Sequence, residues 1–259
     1  MPVEIGRVES LFRYPVKSMR GEQLDAAALG WHGLEGDRRF AFRRTHNRGE
    51  FPWLTAGKLP ELLLFAPVHG ESGAITHVRT PDGEELSIFS EVLATEVERR
   101  YGAPVEMMQM KHGIFDDACI SVIASATVHE ICRLAAQDSD VRRFRPNVVV
   151  RLFEPRPFKE DEWLGGVLSF GDTDDSPTIT VTSRDVRCAM VNLNPDSASP
   201  SPEMMKAVVR ANNNNAGIYG TVTRMGRLIV GQTVCFHAPT LRAETFVSKR
   251  SGRLRYDNP

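Results

Sequence analysis

The sequence predicts an α+β fold that is mainly β, built from many short strands and a few helices. Three observations point there. Short apolar stretches bounded by Gly, Pro, Asp and Asn recur along the whole chain, the pattern of strands punctuated by turns. Only three segments carry the periodicity of an amphipathic helix. The 259 residues, 41% hydrophobic and 25% charged, suffice for one large folded domain or two modest ones sharing a core.

Taken in order, the strands are expected at Val3–Leu11, Arg38–Arg43, Thr76–Arg79 with Glu85–Phe89, Asn147–Leu152, Val167–Phe170, Thr178–Thr182, Gly220–Thr223, Leu228–Val230 and Thr233–His237. Between the third and fourth of these runs, Thr80-Pro81-Asp82-Gly83 has turn chemistry and should close a hairpin. A first helix, Ser90–Tyr101, places Leu93, Val97 and Tyr101 on one face and stops at Gly102. The second runs from about Ser125 to Gln137. Val128, Ile131, Cys132 and Ala135 form its apolar stripe, and Thr127 with Glu130 has capping-box spacing. For the third, Ser201 should cap, Pro202 should sit in the first turn, and Met205, Val208 and Val209 should form the buried stripe. Asn212–Asn215 follows its end, where asparagine tolerates left-handed geometry. Gly70–Ala74, Asp172–Pro177 and Pro195–Pro202 are expected to be the least ordered loops, with Asp172–Pro177 a candidate for shaping specificity. From Thr240 onward, Arg242, Lys249, Arg250, Arg253 and Arg255 read as a solvated extension.

Bulk charge excludes some partners. A formal net charge of -1 gives no global basic field for nucleic acid or an anionic membrane, so an anionic ligand needs a local arginine cluster. The N-terminal stretch lacks the apolar core of a signal peptide, and no apolar run approaches the roughly 20 residues that span a bilayer. The four cysteines, Cys119, Cys132, Cys188 and Cys235, are too few and scattered for a disulfide framework, which fits a reducing cytoplasm. His129-Glu130-Ile131-Cys132-Arg133 starts like a zinc-protease motif but has arginine where the second histidine must ligate. No GxSxG, GxxxxGK[ST] or GxGxxG occurs.

Four segments carry chemistry. In Tyr14-Pro15-Val16-Lys17-Ser18, proline ends a strand and a lysine and a hydroxyl follow; the lysine is either solvated or contacts a phosphate. In Gly36-Asp37-Arg38-Arg39-Phe40-Ala41-Phe42, strand alternation would put Arg38 beside Phe40 and Phe42, where it needs an anion or a carboxylate such as Asp37 or Glu35. In Arg142-Arg143-Phe144-Arg145-Pro146-Asn147, arginines lead into the apolar run Val148–Val150 and place guanidinium forks at a strand mouth. In Thr182-Ser183-Arg184-Asp185-Val186-Arg187-Cys188, a cysteine follows a strand among two arginines. That cysteine is either an inert buried thiol or a thiolate favoured by neighbouring cations, a good ligand for a soft or high-valent metal. Cys132 and Cys235, by contrast, read as packing.

YPVKS, GDRRF, FRPNVVV and VRC, in this order, resemble the signatures of the MOSC family, and the glycine-punctuated stretch from Gly217 to Val234 resembles its closing strands. The resemblance runs from about Val3 to Ala238 and is to members with an N-terminal MOSC-associated β-barrel, such as the amidoxime-reducing component of mitochondria. It implies a MOSC N-terminal β-barrel domain over residues 1–110, packed against a MOSC β-barrel over 111–239, and a tail at 240–259. It also implies a molybdopterin-type molybdenum cofactor, with Cys188 as metal ligand and catalytic residue and Lys17, Ser18, Arg38, Arg145, Asn147 and Arg187 holding the cofactor. The chain departs from relatives at Gly57, often an arginine, and at Val186, a serine in close relatives. The function implied is an oxidoreductase that reduces N-hydroxylated small molecules, with electrons from a separate ferredoxin- or flavoprotein-type donor. A sulfur-carrier or cofactor-handling protein using a Cys188 persulfide, and a cofactor-free binding module, are the alternatives.

Overall fold

The computed structural model describes residues 2–239; the basic extension expected from Thr240 lies outside them. Its centre is a closed barrel of seven strands. Around the barrel the order is Val148–Leu152, Ile120–Ala124, Asn215–Arg224, Thr178–Val186, Val167–Phe170, Thr233–His237 and Val3–Arg13. Val3–Arg13 closes the ring by pairing back onto Val148–Leu152, Leu11 opposite Val148. Every pair is antiparallel except Ile120–Ala124 with Val148–Leu152. That parallel pair needs a crossover, which the helix Ser125–Leu134 supplies.

Side-chain alternation explains why two of these strands are mostly apolar on both faces. Val148 and Val150 point into the barrel core with Ile120, Val122 and Ala124. Val149 and Ile123 point outward, into a separate core under the helices Ser125–Leu134 and Glu203–Asn212. With both faces covered, few positions are polar; Ser121 donates to Asp185 and Arg151 is exposed.

A second unit, residues 40–109, packs its own core around Phe42, Leu54, Leu62, Phe65, Val78, Leu93 and Val97. It contains the sheet of Phe40–Arg44 with Val105–Gln109, a three-stranded sheet, and the helix Glu91–Tyr101. Val16, Met19 and Leu193 from the barrel side enter this core, so the unit sits on one mouth of the barrel. The strand Val3–Arg13, ahead of residue 110, is therefore part of the barrel formed mostly by the second half of the chain.

The first helix follows its signals: the Ser90 side chain accepts from the Leu93 amide and Gly102 closes it in left-handed geometry. The hairpin turn also forms, with Arg79 opposite Glu85 and Gly83 at φ +92°. Several local expectations need correction. Thr127 does not cap its helix; its hydroxyl donates to Glu160 and accepts from the Phe158 amide. The third helix buries Met204, Ala207 and Val208, whereas Met205 is only partly covered and Val209 is 47% exposed. Asn194 ties the loop Pro195–Pro202 down by accepting from the amides of Asp196 and Ser197. No helix among the described residues is long and apolar enough to cross a membrane.

Candidate functional site

Four chain segments meet at the barrel mouth beneath the second unit. The strand Val3–Arg13 ends there, and Val148–Leu152 and Ile120–Ala124 begin there, since Leu11 faces Val148 and Val122 faces Val148. Thr178–Val186 runs in the same direction as Ile120–Ala124, so its end, Val186 opposite Asn215, lies farther along the barrel, and Arg187 beyond it reaches back to the Phe144 carbonyl. The residues just beyond these strand ends are Tyr14–Ser18, Arg143–Asn147 and Asp185–Cys188. They surround a cavity of about 500 Å³ together with Arg38 and residues 51–58 of the second unit.

Asp37 is the hub beneath it. Buried at 1% exposure, its carboxylate accepts from the Tyr14 amide at 2.7 Å, from the Asn147 amide nitrogen at 3.1 Å and from the Arg38 guanidinium. Arg38 is not on the strand as alternation suggested. It stands before Phe40–Arg44 in left-handed geometry at φ +50°. Ser18 and Arg145 share that geometry, at φ +66° and +49°. Non-glycine residues rarely adopt it, and its local cost is commonly found where a site dictates the backbone.

Lys17 is not solvated. Its ammonium lies buried, donating to the Ile114 carbonyl at 3.1 Å and to Asp116 at 2.8 Å. Burial pushes its pKa down, and Asp116 only partly restores it. Burial likewise opposes the charge on Arg38, but Asp37 outweighs it and the pKa rises. Arg145 has no carboxylate at hydrogen-bond range; burial pushes it down to about 10. Its Nη1 donates to the Met19 carbonyl at 2.8 Å, while Nη2 is buried with no hydrogen-bond partner. The ring of Tyr14 lies against both guanidiniums, 4.1 Å from Arg145 and 4.9 Å from Arg38.

Arg187 lines the cavity, but its donors are already engaged. It bonds the Phe144 carbonyl at 2.6 Å, the Ala216 carbonyl at 2.7 Å and the Asp185 carboxylate at 2.7 Å. Gly217 permits this approach, since a Cβ there would lie 3.1 Å from Arg187 Nη2 and 2.8 Å from the Val122 carbonyl oxygen. Asp185 is pushed up to about 6 by burial, against the pull of Arg187.

Cys188 is the exposed cysteine, whereas Cys132 and Cys235 are buried as packing residues. The alternation Asp185 in, Val186 out, Arg187 in, Cys188 out carries past the strand end and turns the thiol outward. Asn147 needs a correction. It is 1% exposed and absent from the cavity wall, with its amide spent on Asp37, Phe12 and Ser121. It positions Asp37 rather than facing a ligand.

The structure thus brings Lys17, Ser18, Arg38, Arg145, Arg187 and Cys188 to one cavity. Sequence reasoning missed Phe51, Asp116, Asp185 and Tyr219 as wall residues; Asp185 and Tyr219 lie inside segments already singled out, whereas Phe51 and Asp116 sit in no pattern that marks them. Six cationic side chains (Lys17, Arg38, Lys58, Arg143, Arg145, Arg187) face two carboxylates, Asp116 and Asp185. Such a wall suits an anion, and its guanidinium forks suit a phosphate. Among the described residues no three His, Cys, Asp or Glu cluster to hold a metal, so a metal on Cys188 must bring its other donors with it.

Comparison with known proteins adds the following. The model of the MOSC domain matches residues 109–235, and that of the MOSC N-terminal beta barrel domain matches residues 5–118. A search of curated proteins finds no match. Among solved structures, the chain is similar to YUAD protein from Bacillus subtilis, at 16% identity and a TM-score of 0.51, covering 93% of this chain and 100% of that one. At that identity the likeness is one of fold. YiiM from Geobacillus stearothermophilus aligns over 46% of this chain and 54% of its own, at 16% identity and a TM-score of 0.36.

Proposed function

Since the chain belongs to the MOSC family, with that family's N-terminal barrel domain, we propose that it is a molybdenum cofactor-binding oxidoreductase that reduces N-hydroxylated compounds. Family membership ties it to the molybdenum cofactor in general terms; the reaction and the residue roles are our reading. The observation that carries it is an exposed thiol at the edge of a cavity whose wall holds a surplus of cations.

The residues fit the group. A cavity of about 500 Å³ is within the range of cofactor sites, roughly 300–1,000 Å³. Arg145 offers a buried nitrogen without an acceptor, which a phosphate oxygen would satisfy. Lys17, Ser18, Arg38 and Arg145 would hold the anionic end and Cys188 the metal. When bound, the group supplies two-electron redox chemistry. The chain's own residues bind and orient. Arg38, braced by Asp37, and Arg187, braced by Asp185, are held in place, so little ordering is left for the moment of binding. The overall conversion takes an N–OH group, two electrons and two protons to N–H and water. The electrons come from a separate ferredoxin- or flavoprotein-type donor.

Protein made in cells competent for molybdenum cofactor synthesis should carry about one molybdenum per chain and reduce hydroxylamine with an artificial electron donor. Cys188→Ala should lose both. A persulfide on Cys188 without retained metal would instead favour a sulfur carrier, and a chain loading neither would be a cofactor-free binding module.

A further inference from the structure

A smaller cavity, of about 130 Å³, lies where the outer face of the barrel meets Leu63 of the second unit. Its polar wall is Tyr14, Arg20, Gln23, Arg142 and Arg145. Of its lining residues only Arg145 also lines the larger cavity. Among the described residues no carboxylate lines it, whereas Asp116 and Asp185 stand in the wall of the larger one. Tyr14 is 2% exposed, and its hydroxyl has no hydrogen-bond partner among the described residues. We propose that this cavity is a second anion site, separate from the larger one, and that it takes a free tetrahedral oxyanion of the phosphate class.

Strand alternation builds the site. Phe12 and Tyr14, two positions apart, both turn outward into the core under the helices. Gln23 lies opposite Phe12 in the neighbouring strand and so stands on the same outer face. Gly21 lets the chain close on the tyrosine, since a Cβ there would lie 2.3 Å from Tyr14 Cε1. The guanidiniums of Arg38 and Arg145 lie against the ring and leave the hydroxyl unserved. Burial pushes its pKa up to about 12, so it keeps its proton and calls for an acceptor. Asp140 and Asp196 bond Arg142, and Asp196 lies 3.6 Å from Arg20. Both carboxylates stand outside the wall, so they hold the guanidiniums without filling the cavity. Guanidinium forks match paired phosphate oxygens, and a further oxygen would accept from the Tyr14 hydroxyl. The volume lies below the roughly 300 Å³ at which pockets for organic ligands begin, which favours a free oxyanion. An anion here would also set a counter-charge beside Arg145, whose charge burial opposes.

The test is equilibrium dialysis of labelled inorganic phosphate against the whole chain, free of cofactor, at constant ionic strength. The parent protein should bind with a Kd of about 1 mM or tighter. Tyr14→Phe removes the hydroxyl and keeps the ring beside both guanidiniums, and it should weaken binding about tenfold. Arg20→Gln changes an exposed side chain outside the larger cavity and should weaken it about threefold. Ser18→Ala, which touches the larger cavity alone, should leave this binding unchanged. No binding by the parent overturns the proposal, as does an unchanged Kd in folded Tyr14→Phe. Weakening in Ser18→Ala as large as in Tyr14→Phe assigns the phosphate to the larger cavity and overturns it too. If Tyr14→Phe does not fold, Arg20→Gln decides alone: weaker binding upholds the site and unchanged binding overturns it.

Discussion

The cavity wall and the start of the helix Ser125–Leu134 treat buried charge differently. Among the described residues, the buried charged side chains are Lys17, Asp37, Arg143, Glu160, Asp185 and Arg187. All but Glu160 sit at the mouth. Glu160 stands apart from the cavity, where it accepts from the Thr127 hydroxyl at 2.9 Å and the Ala124 amide at 3.3 Å and so staples the start of a helix. No cation faces it, and burial pushes its pKa up to about 7. At the mouth, opposite charges brace one another, and Arg145 keeps a nitrogen in reserve. Burying charge is costly and seldom the best route to stability. A lone carboxylate is therefore enough where the task is structural, and a crowd of charges marks the place built to hold something.

The largest expected effect tests whether the mouth is braced. Arg187→Met would leave Asp185 without its cation, though still bonded by the Ser121 hydroxyl, and would take the guanidinium donors from the carbonyls of Phe144 and Ala216. It should lower the unfolding free energy by about 3–5 kcal/mol in urea titration of the cofactor-free protein. A loss under about 1 kcal/mol would mean these contacts are not the brace, and would return Arg187 to the ligand-holding set.

The lone carboxylate sharpens the contrast through pH. Its folded-state pKa of about 7 lies above the ordinary 4.5. The protonated form is thus favoured by folding, and its stabilisation is full below about 4.5 and lost as pH rises through about 7. The span is at most roughly 3 kcal/mol. Glu160→Gln should flatten the fall in urea midpoint between pH 4.5 and 7. A gentler slope remains from Asp185, whose pKa is raised to about 6 by burial, in a lower window. Parallel pH profiles for the variant and the parent would break the contrast.

The smallest effect belongs to the sulfur. Cys188 is exposed, so Cys188→Ala should leave the stability of the cofactor-free protein within about 0.5 kcal/mol. A larger loss would place the thiol in the packing, against the geometry described above.

Much of this was legible in the chain. Alternating or continuous apolar runs marked most barrel strands, and Ser90 and Gly102 marked both ends of one helix, because those signals are local. Tertiary partners hid the rest. Thr127 had capping-box spacing, yet Glu160, some thirty positions on, captures its hydroxyl. Arg38 looked like a strand residue because periodicity is blind to a left-handed turn before Phe40. Asn147 lies in a cationic motif but turns inward to Asp37, a partner far away in sequence. Lys17 reads as a surface lysine until Asp116 and Ile114 arrive from the far side of the second unit.

The closure of the ring has a consequence for how the molecule is made. Val3–Arg13 must find Val148–Leu152 on one edge and Thr233–His237 on the other, with Val3 opposite Phe236. During synthesis the earliest strand therefore waits, with one edge unpaired, until nearly the whole described chain has left the ribosome. Such distant pairings slow folding and leave a sticky edge in the meantime. Refolding yield should accordingly depend on protein concentration more steeply than the stability of the finished barrel would suggest.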